Sequence, residues 1–248
     1  MTADASRISR LAALLLDARA EGRTVAAVPD DLVPADEAEA YRVQTLTASR
    51  LGRIAGWKVG ARAPGAPPTC APLLDSLLGP PASGRGLFRI EAELVFRLAR
   101  PLPPVGRAYE RREVVAALAE VLTGIEVVDS RYAAWPDVDP RLGIADHLSH
   151  GCMVLGSGTR VQDGSYAEPH VSLSVDGRTI LDRVGGNTAG DPIDLVVWLA
   201  NRLAAEEGGL REGDLVTTGS FTGMTEIEPG ATARARFAGI GEVSVTRP

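Results

Sequence analysis

Glu91 and Glu93 sit two residues apart in the apolar run from Arg89 to Leu98. In a strand, with its period of two, they share one face with Val95, while Ile90, Ala92, Leu94 and Phe96 take the other. Two like charges side by side on an apolar strand are costly unless something cationic lies between them. Glu126 stands in a second apolar run, Gly124-Ile125-Glu126-Val127-Val128-Asp129-Ser130-Arg131. Three carboxylates from two strands make one face of an octahedral oxygen site. That suits Mg²⁺ or Mn²⁺, with water and a chelating substrate completing the sphere. The same spacing also suits a solvated sheet face on which Glu91 and Glu93 pair with Arg89 or Arg97.

Lys58 is the only lysine among 26 basic residues. Lysine does what arginine cannot: burial and neighbours can tune its pKa. In Gly56-Trp57-Lys58-Val59-Gly60 it faces away from Trp57 and Val59, and the flanking glycines allow close backbone approach. Near a carboxylate cluster it would serve as an acid/base or hold a substrate anion; elsewhere it would make an ordinary salt bridge. Gly219-Ser220-Phe221-Thr222-Gly223 follows the apolar strand Leu215 to Thr218. It offers N–H groups and two hydroxyls to a carboxylate, or is a plain turn. Asp146-His147-Leu148-Ser149-His150-Gly151 puts two histidines beside a carboxylate, but the one remaining histidine, His170, does not complete a zinc set. A loop role, or one histidine near the pocket, is the better reading.

No phosphate-binding GxxxxGK[ST], no GxGxxG after a strand and no GxSxG occurs. With 26 basic against 32 acidic residues and a net charge of −6, nucleic acid is not the expected partner. The leucine-rich start, Leu11 to Leu16, is broken by Asp17 and is too short for a leader or membrane span. Cys70 and Cys152 lack metal-finger spacing and read as two buried thiols. A cytoplasmic protein with a small-molecule ligand is expected.

The elements that must position these residues are as follows. Ser6 to Ala20 and Asp36 to Leu51 carry apolar residues at helical spacing, so residues 1–54 read as a helical arm. Residues 55–248 read as a strand-rich body, with no linker between independent domains. Its expected strands are Gly56 to Ala61, Arg89 to Leu98, Ile125 to Ser130, Gly151 to Gly156, Val171 to Val175, Thr179 to Val184, Leu215 to Thr218, Ala231 to Phe237 and Glu242 to Thr246. Helices are expected over Arg112 to Leu122, around Leu73 to Leu78 within the Pro/Gly-rich excursion Pro64 to Gly86, and from Asp191-Pro192 to Gly208-Gly209. Strands and helices do not alternate, which disfavours a doubly wound parallel sheet.

In combination these segments resemble the hydratase branch of the fumarylacetoacetate hydrolase superfamily, whose near relatives are 2-keto-4-pentenoate hydratases and 4-oxalocrotonate decarboxylases. The resemblance runs through Ala40-Tyr41-Arg42-Val43-Gln44, Gly56 to Gly60, Glu91-Ala92-Glu93, Ile125 to Arg131, Gly186-Asn187, Trp198-Leu199-Ala200-Asn201 and Gly219 to Gly223. It implies an α+β fold: one domain with a mixed β-roll body and a helical N-terminal arm. It also implies Mg²⁺ or Mn²⁺ held by Glu91, Glu93 and Glu126, an active-site Lys58, an acidic Asp75, and Ser220 and Thr222 at the substrate carboxylate. The implied reaction is metal-dependent addition of water to a 2-hydroxy-2,4-dienoate, giving a 4-hydroxy-2-oxo acid, as in aromatic meta-cleavage catabolism, with Lys58 or Asp75 moving the proton. The alternatives are decarboxylation of a 2-oxo-3-enedioate, C–C hydrolysis of an acylpyruvate, and a non-catalytic partner subunit. A dicarboxylate would need a further cation, for which Arg62, Arg131 and a protonated His147 are the candidates. A homo-oligomer is implied, with a paralogous decarboxylase as a further partner. Two segments depart from the family. Its usual Ala-Asp-Asn-x-Ser-Ser-Gly is here Ala145-Asp146-His147-Leu148-Ser149-His150-Gly151, and residues 67–72 differ from its common covering loop.

Overall fold

A computed structural model describes residues 3–81, 88–206 and 208–248. Helix α1 (Ala3–Glu21) buries Ile8, Leu11, Ala12, Leu15 and Ala18, a single stripe at helical spacing. Helix α2 (Glu37–Leu51) starts where Asp36 accepts a hydrogen bond from the Glu39 N–H at 2.8 Å. Val43 of α2 shares the α1 cluster with Tyr132 and Leu142, so the arm and the loops beside the site form one apolar unit.

Chain order then gives β1 (Ile54–Gly60), β2 (Thr69–Leu74), β3 (Arg89–Leu98), α3 (Arg111–Val115), β4 (Leu118–Val128), α4 (Pro140–Ala145) and β5 (His150–Arg160). These are followed by β6 (His170–Val175), β7 (Arg178–Val184), α5 (Pro192–Glu206), β8 (Leu215–Ser220), β9 (Thr225–Glu226), β10 (Thr232–Phe237) and β11 (Gly241–Thr246). One sheet runs β2-β1-β8-β3-β4-β5 with β9 added to β3; the other runs β11-β10-β6-β7. The β1–β8 pair is parallel and its neighbours β1–β2 and β8–β3 are antiparallel, so the first sheet is mixed. This is the expected α+β architecture.

The expected alternation in β3 holds. Ile90, Ala92, Leu94 and Phe96 enter the main core with Leu195, Val196 and Leu199 of α5. Phe221 and Phe237 meet edge to face at 5.3 Å and tie the end of β8 to the second sheet. Gly56 is required by packing: a Cβ there would lie 2.1 Å from the Leu215 carbonyl oxygen of β8. Gly60 has open space beside it.

Two expected helices are corrected. Arg112 to Leu122 is helical only at its start, in α3; from Leu118 it becomes β4. An Ala/Val-rich run carries no decisive local preference. Here it forms a central strand because β3 and β5 hydrogen-bond to its two edges. Leu73 and Leu74 end β2 rather than open a helix, and only Asp75–Leu77 forms a 3-10 turn. Residues 82–86 of the expected excursion lie outside the described residues. Among the described residues, no helix is long and apolar enough to cross a membrane.

Candidate metal centre and active site

Strand register builds the cluster. Glu91 of β3 stands directly opposite Glu126 of β4, and Glu93 is the next residue on the same face. One carboxylate oxygen from each of the three lies within 4.8 Å of the other two. Glu93 and Glu126 are buried and Glu91 is half-buried. A solvated sheet face balanced by flanking arginines is ruled out, because those arginines are engaged elsewhere. Arg97 pairs with Glu120 at 2.6 Å, while Arg89 reaches Glu226 at 3.7 Å and lies over the Trp135 ring.

Each carboxylate has its own surroundings. Glu93 Oε2 accepts hydrogen bonds from the Thr217 hydroxyl and from the Gly219 N–H, the latter at 3.1 Å. Gly219 has φ +79°, which favours glycine at this bend in the chain. Ser220 of β8 is paired in register with Glu93, and its side chain favours the ionised form of Glu91. Glu126 Oε1 accepts from Lys58 Nζ at 2.5 Å and meets His150 Nδ1 at 2.7 Å.

The titration of the three acids differs accordingly. Burial pushes Glu91 up to about 7, aided by repulsion from Glu126 and opposed by Lys58. Burial and the neighbouring Glu126 and Glu91 hold Glu93 well above the usual carboxylate range. Burial alone would raise Glu126 too, but the Lys58 ammonium and His150 bring it down to about 2. Three acids therefore face one ammonium across a space they share. Such an all-oxygen donor set, short of positive charge, fits a hard dication.

Lys58 is held at a second point by the Leu148 carbonyl oxygen, at 3.2 Å. That carbonyl is aimed by an unusual backbone turn in which His147, Leu148 and Ser149 all have φ between 53° and 59°. Left-handed backbone costs roughly 1–2 kcal/mol per non-glycine residue, so the surroundings must enforce it. The buried Arg131–Asp146 pair does so from one side: Asp146 accepts from Arg131 Nε at 2.5 Å and from the Arg131 N–H at 2.9 Å. Arg19 of α1 and Arg131 both donate to the His150 carbonyl oxygen, at 2.8 and 3.1 Å.

The expected site residues divide into two groups. Glu91, Glu93, Glu126, Lys58 and Ser220 come together. Thr222 lies at the edge, its hydroxyl accepting from the Ala92 N–H between the two glutamates at 3.0 Å. Three other expected residues are not part of this cluster. Asp75 is half-exposed and pairs with Arg53 at 2.9 Å. Lys58 is paired in register with Ala71, so Asp75 lies four residues further along, about 13 Å at the usual strand rise. Arg131 is buried, and Asp146 and the His150 carbonyl occupy its guanidinium, so it braces the loop rather than receiving substrate. His147 points its Nε2 at the Thr47 hydroxyl of α2, at 2.7 Å, and burial holds its pKa well below the ordinary value. It stays neutral and supplies no cation.

The sequence did not single out Thr217, the Gly219 N–H, the Leu148 carbonyl or the partnership of His150 with Glu126. Only His150 carried a signal, as a departure inside an otherwise familiar segment. A cavity of about 310 Å³ opens beside Arg19, Leu78, Phe88, Asp129 and Cys152, and none of the three carboxylates nor Lys58 lines it.

The fumarylacetoacetate (FAA) hydrolase C-terminal family model matches residues 66–246. The chain belongs to this family. It is 30% identical over 260 residues to a 2-keto-4-pentenoate hydratase of Burkholderia vietnamiensis, covering 98% of each chain. Among solved structures it is similar to the 4-oxalocrotonate decarboxylase of Pseudomonas putida G7 in complex with calcium and acetate. That match has a TM-score of 0.83 at 25% identity, over 99% of this chain and 98% of that one. The same decarboxylase complexed with magnesium and adipate matches with a TM-score of 0.80 at 25% identity, over 96% and 97% of the two chains. The fold is thus of the fumarylacetoacetate hydrolase type, and relatives in this family include both hydratases and decarboxylases, which are lyases.

Proposed function

We propose that the chain is a divalent-metal-dependent hydratase that adds water to a 2-hydroxy-2,4-dienoate to give a 4-hydroxy-2-oxo acid. The observation that carries the reading is the convergence of Glu91, Glu93 and Glu126 with Lys58 on one sheet face. Near full-length similarity to a hydratase supports it. Magnesium is the ion we assign, with manganese as the alternative that oxygen donors also accept. Glu91, Glu93 and Glu126 would hold it. When bound, the ion supplies Lewis acidity to the C2 oxygen and C1 carboxylate of the substrate, making the 2-oxo group an electron sink.

The remaining work falls to the chain. Lys58 is fixed by Glu126 and by the Leu148 carbonyl, and its ammonium has a third N–H to present to substrate. Lys58 moves the proton: it leaves the 2-hydroxyl as one arrives at C5, leaving an α,β-unsaturated ketone. Water then adds its oxygen at C4 and a proton at C3. Ser220, against Glu91, and Thr222, beside Ala92, border the substrate carboxylate. A homo-oligomer and an association with a paralogous decarboxylase remain part of the proposal.

The second reading is decarboxylation of a 2-oxo-3-enedioate, which the structural similarity to a decarboxylase supports. That substrate carries a second carboxylate. Of the cations nominated for it, Arg131 is occupied and His147 is neutral, which leaves exposed Arg62 and favours the hydratase. Mass spectrometry after incubation with mono- and dicarboxylate 2-hydroxydienoates, with Mg²⁺ or with EDTA, decides between them. Gain of one water only with metal supports the hydratase; loss of carbon dioxide supports the decarboxylase. Absence of either would leave the scaffold role.

A further inference from the structure

His150 stands in the place where the family's usual segment carries its second serine, and it is fully buried. Its backbone carbonyl is held by Arg19 and Arg131, from the arm and from the loop after β4. The backbone from which the ring projects toward Glu126 is thereby held. The tautomer follows from the partner. An ionised carboxylate only accepts, so at 2.7 Å from Glu126 Oε1 the Nδ1 atom must carry the proton. Nε2 is then a bare lone pair, and it has no hydrogen-bond partner among the described residues. A buried unpaired acceptor is a cost, which the Nδ1 hydrogen bond to Glu126 offsets.

Lys58 and His150 together fill the two lone-pair positions of Glu126 Oε1. Glu126 Oε2 is left without either of these two donors. If Lys58 turns toward substrate to move a proton, the His150 hydrogen bond is what keeps the carboxylate from rotating.

We propose that His150 is a positioning residue of this metal centre: its Nδ1–H locks the Glu126 carboxylate in the orientation that binds a divalent cation, while Arg19 and Arg131 hold the His150 backbone in place. This rests on the metal site proposed above. It assigns no proton transfer to His150.

The test is calorimetric titration of Mn²⁺ into metal-free wild type, His150→Leu, His150→Asn and His150→Gln, with circular dichroism to check the fold. The side-chain amide of asparagine reproduces a donor at the Nδ1 position; that of glutamine places it near Nε2; leucine fills space without a donor. Losing a hydrogen-bond partner of a ligating carboxylate weakens metal affinity about 10–100-fold, so we expect that loss in Leu and Gln, with Asn within about threefold of wild type. Leu binding as tightly as wild type would overturn the inference. Asn as weak as Leu would also overturn it, since packing rather than the hydrogen bond would then be at stake. If Leu does not fold, the Asn and Gln pair carries the same comparison. If wild type itself binds no metal, the metal site fails and this inference fails with it.

Discussion

Lys58 and Glu126 are 68 residues apart in the chain, yet Nζ and Oε1 lie 2.5 Å from one another in the structure. The pair joins the second strand of the sheet, β1, to the fifth, β4, across β8 and β3, which contribute Thr217 and Glu93 on the way. Three strands, with β8 between them, thus place one ammonium and three carboxylates together.

Replacing the ammonium separates its two duties. Lys58→Arg keeps a cation for Glu126 but cannot exchange a proton near neutrality. Turnover is expected to fall about 10²–10⁴-fold, the usual share of general acid–base catalysis, while Mn²⁺ affinity stays within the same order. Steady-state rates beside metal titrations would check this. Unchanged turnover would remove Lys58 from proton transfer.

Removing one carboxylate should cost activity and gain stability. In the metal-free protein, burial and Glu126 oppose ionisation of Glu91. Glu91→Gln is expected to abolish metal-dependent turnover. At pH 8 without metal it should raise stability by up to about 3 kcal/mol, the order of the displacement from 4.5 to about 7. Thermal melting with and without Mg²⁺ reads both effects. Wild type should be stabilised by the ion and the variant should not.

The same displacement sets a pH dependence. The folded pKa of Glu91 is raised from 4.5 to about 7, so between those values the folded metal-free chain holds a proton that the unfolded chain has released. The contribution of Glu91 to stability is then greatest at low pH and declines as pH rises toward 7. A divalent ion needs the ionised carboxylate, so binding releases protons below pH 7 and affinity should increase with pH through that range. Calorimetry in buffers of different ionisation enthalpy would count the protons. A pH-independent affinity from 5.5 to 8 would contradict this.

Arg131 is expected to behave as a brace. Arg131→Met leaves Asp146 buried without its cation, a change that costs about 3–5 kcal/mol in comparable buried pairs. Chemical denaturation should show that loss. The KM of whatever fraction folds should be unchanged for a monocarboxylate dienoate. A large KM increase with intact stability would return Arg131 to the substrate site.

Much of this site was legible because it depends on strand period and family resemblance. Glu91 and Glu93 share a face by alternation, while its burial, complete at Glu93 and partial at Glu91, was left open by the sequence. The helix starts at Asp36 and Asp191 were equally legible, since a cap is a local interaction. What escaped was set by distant pairing. Leu118 to Leu122 reads as helix until β3 and β5 flank it. The place of Asp75 beside Arg53, away from the carboxylates, follows from the register of β1 and β2. The left-handed turn at 147–149 has no glycine to announce it; tertiary contacts from Arg19, Arg131 and Thr47 impose it.

The most direct test of the account is product analysis with 2-hydroxypenta-2,4-dienoate, supplied with either Mg²⁺ or EDTA. Conversion to the 4-hydroxy-2-oxo acid, seen as the gain of one water, is expected with Mg²⁺ and none with EDTA. Equal conversion with EDTA, or no conversion of this or any longer monocarboxylate dienoate, would contradict it.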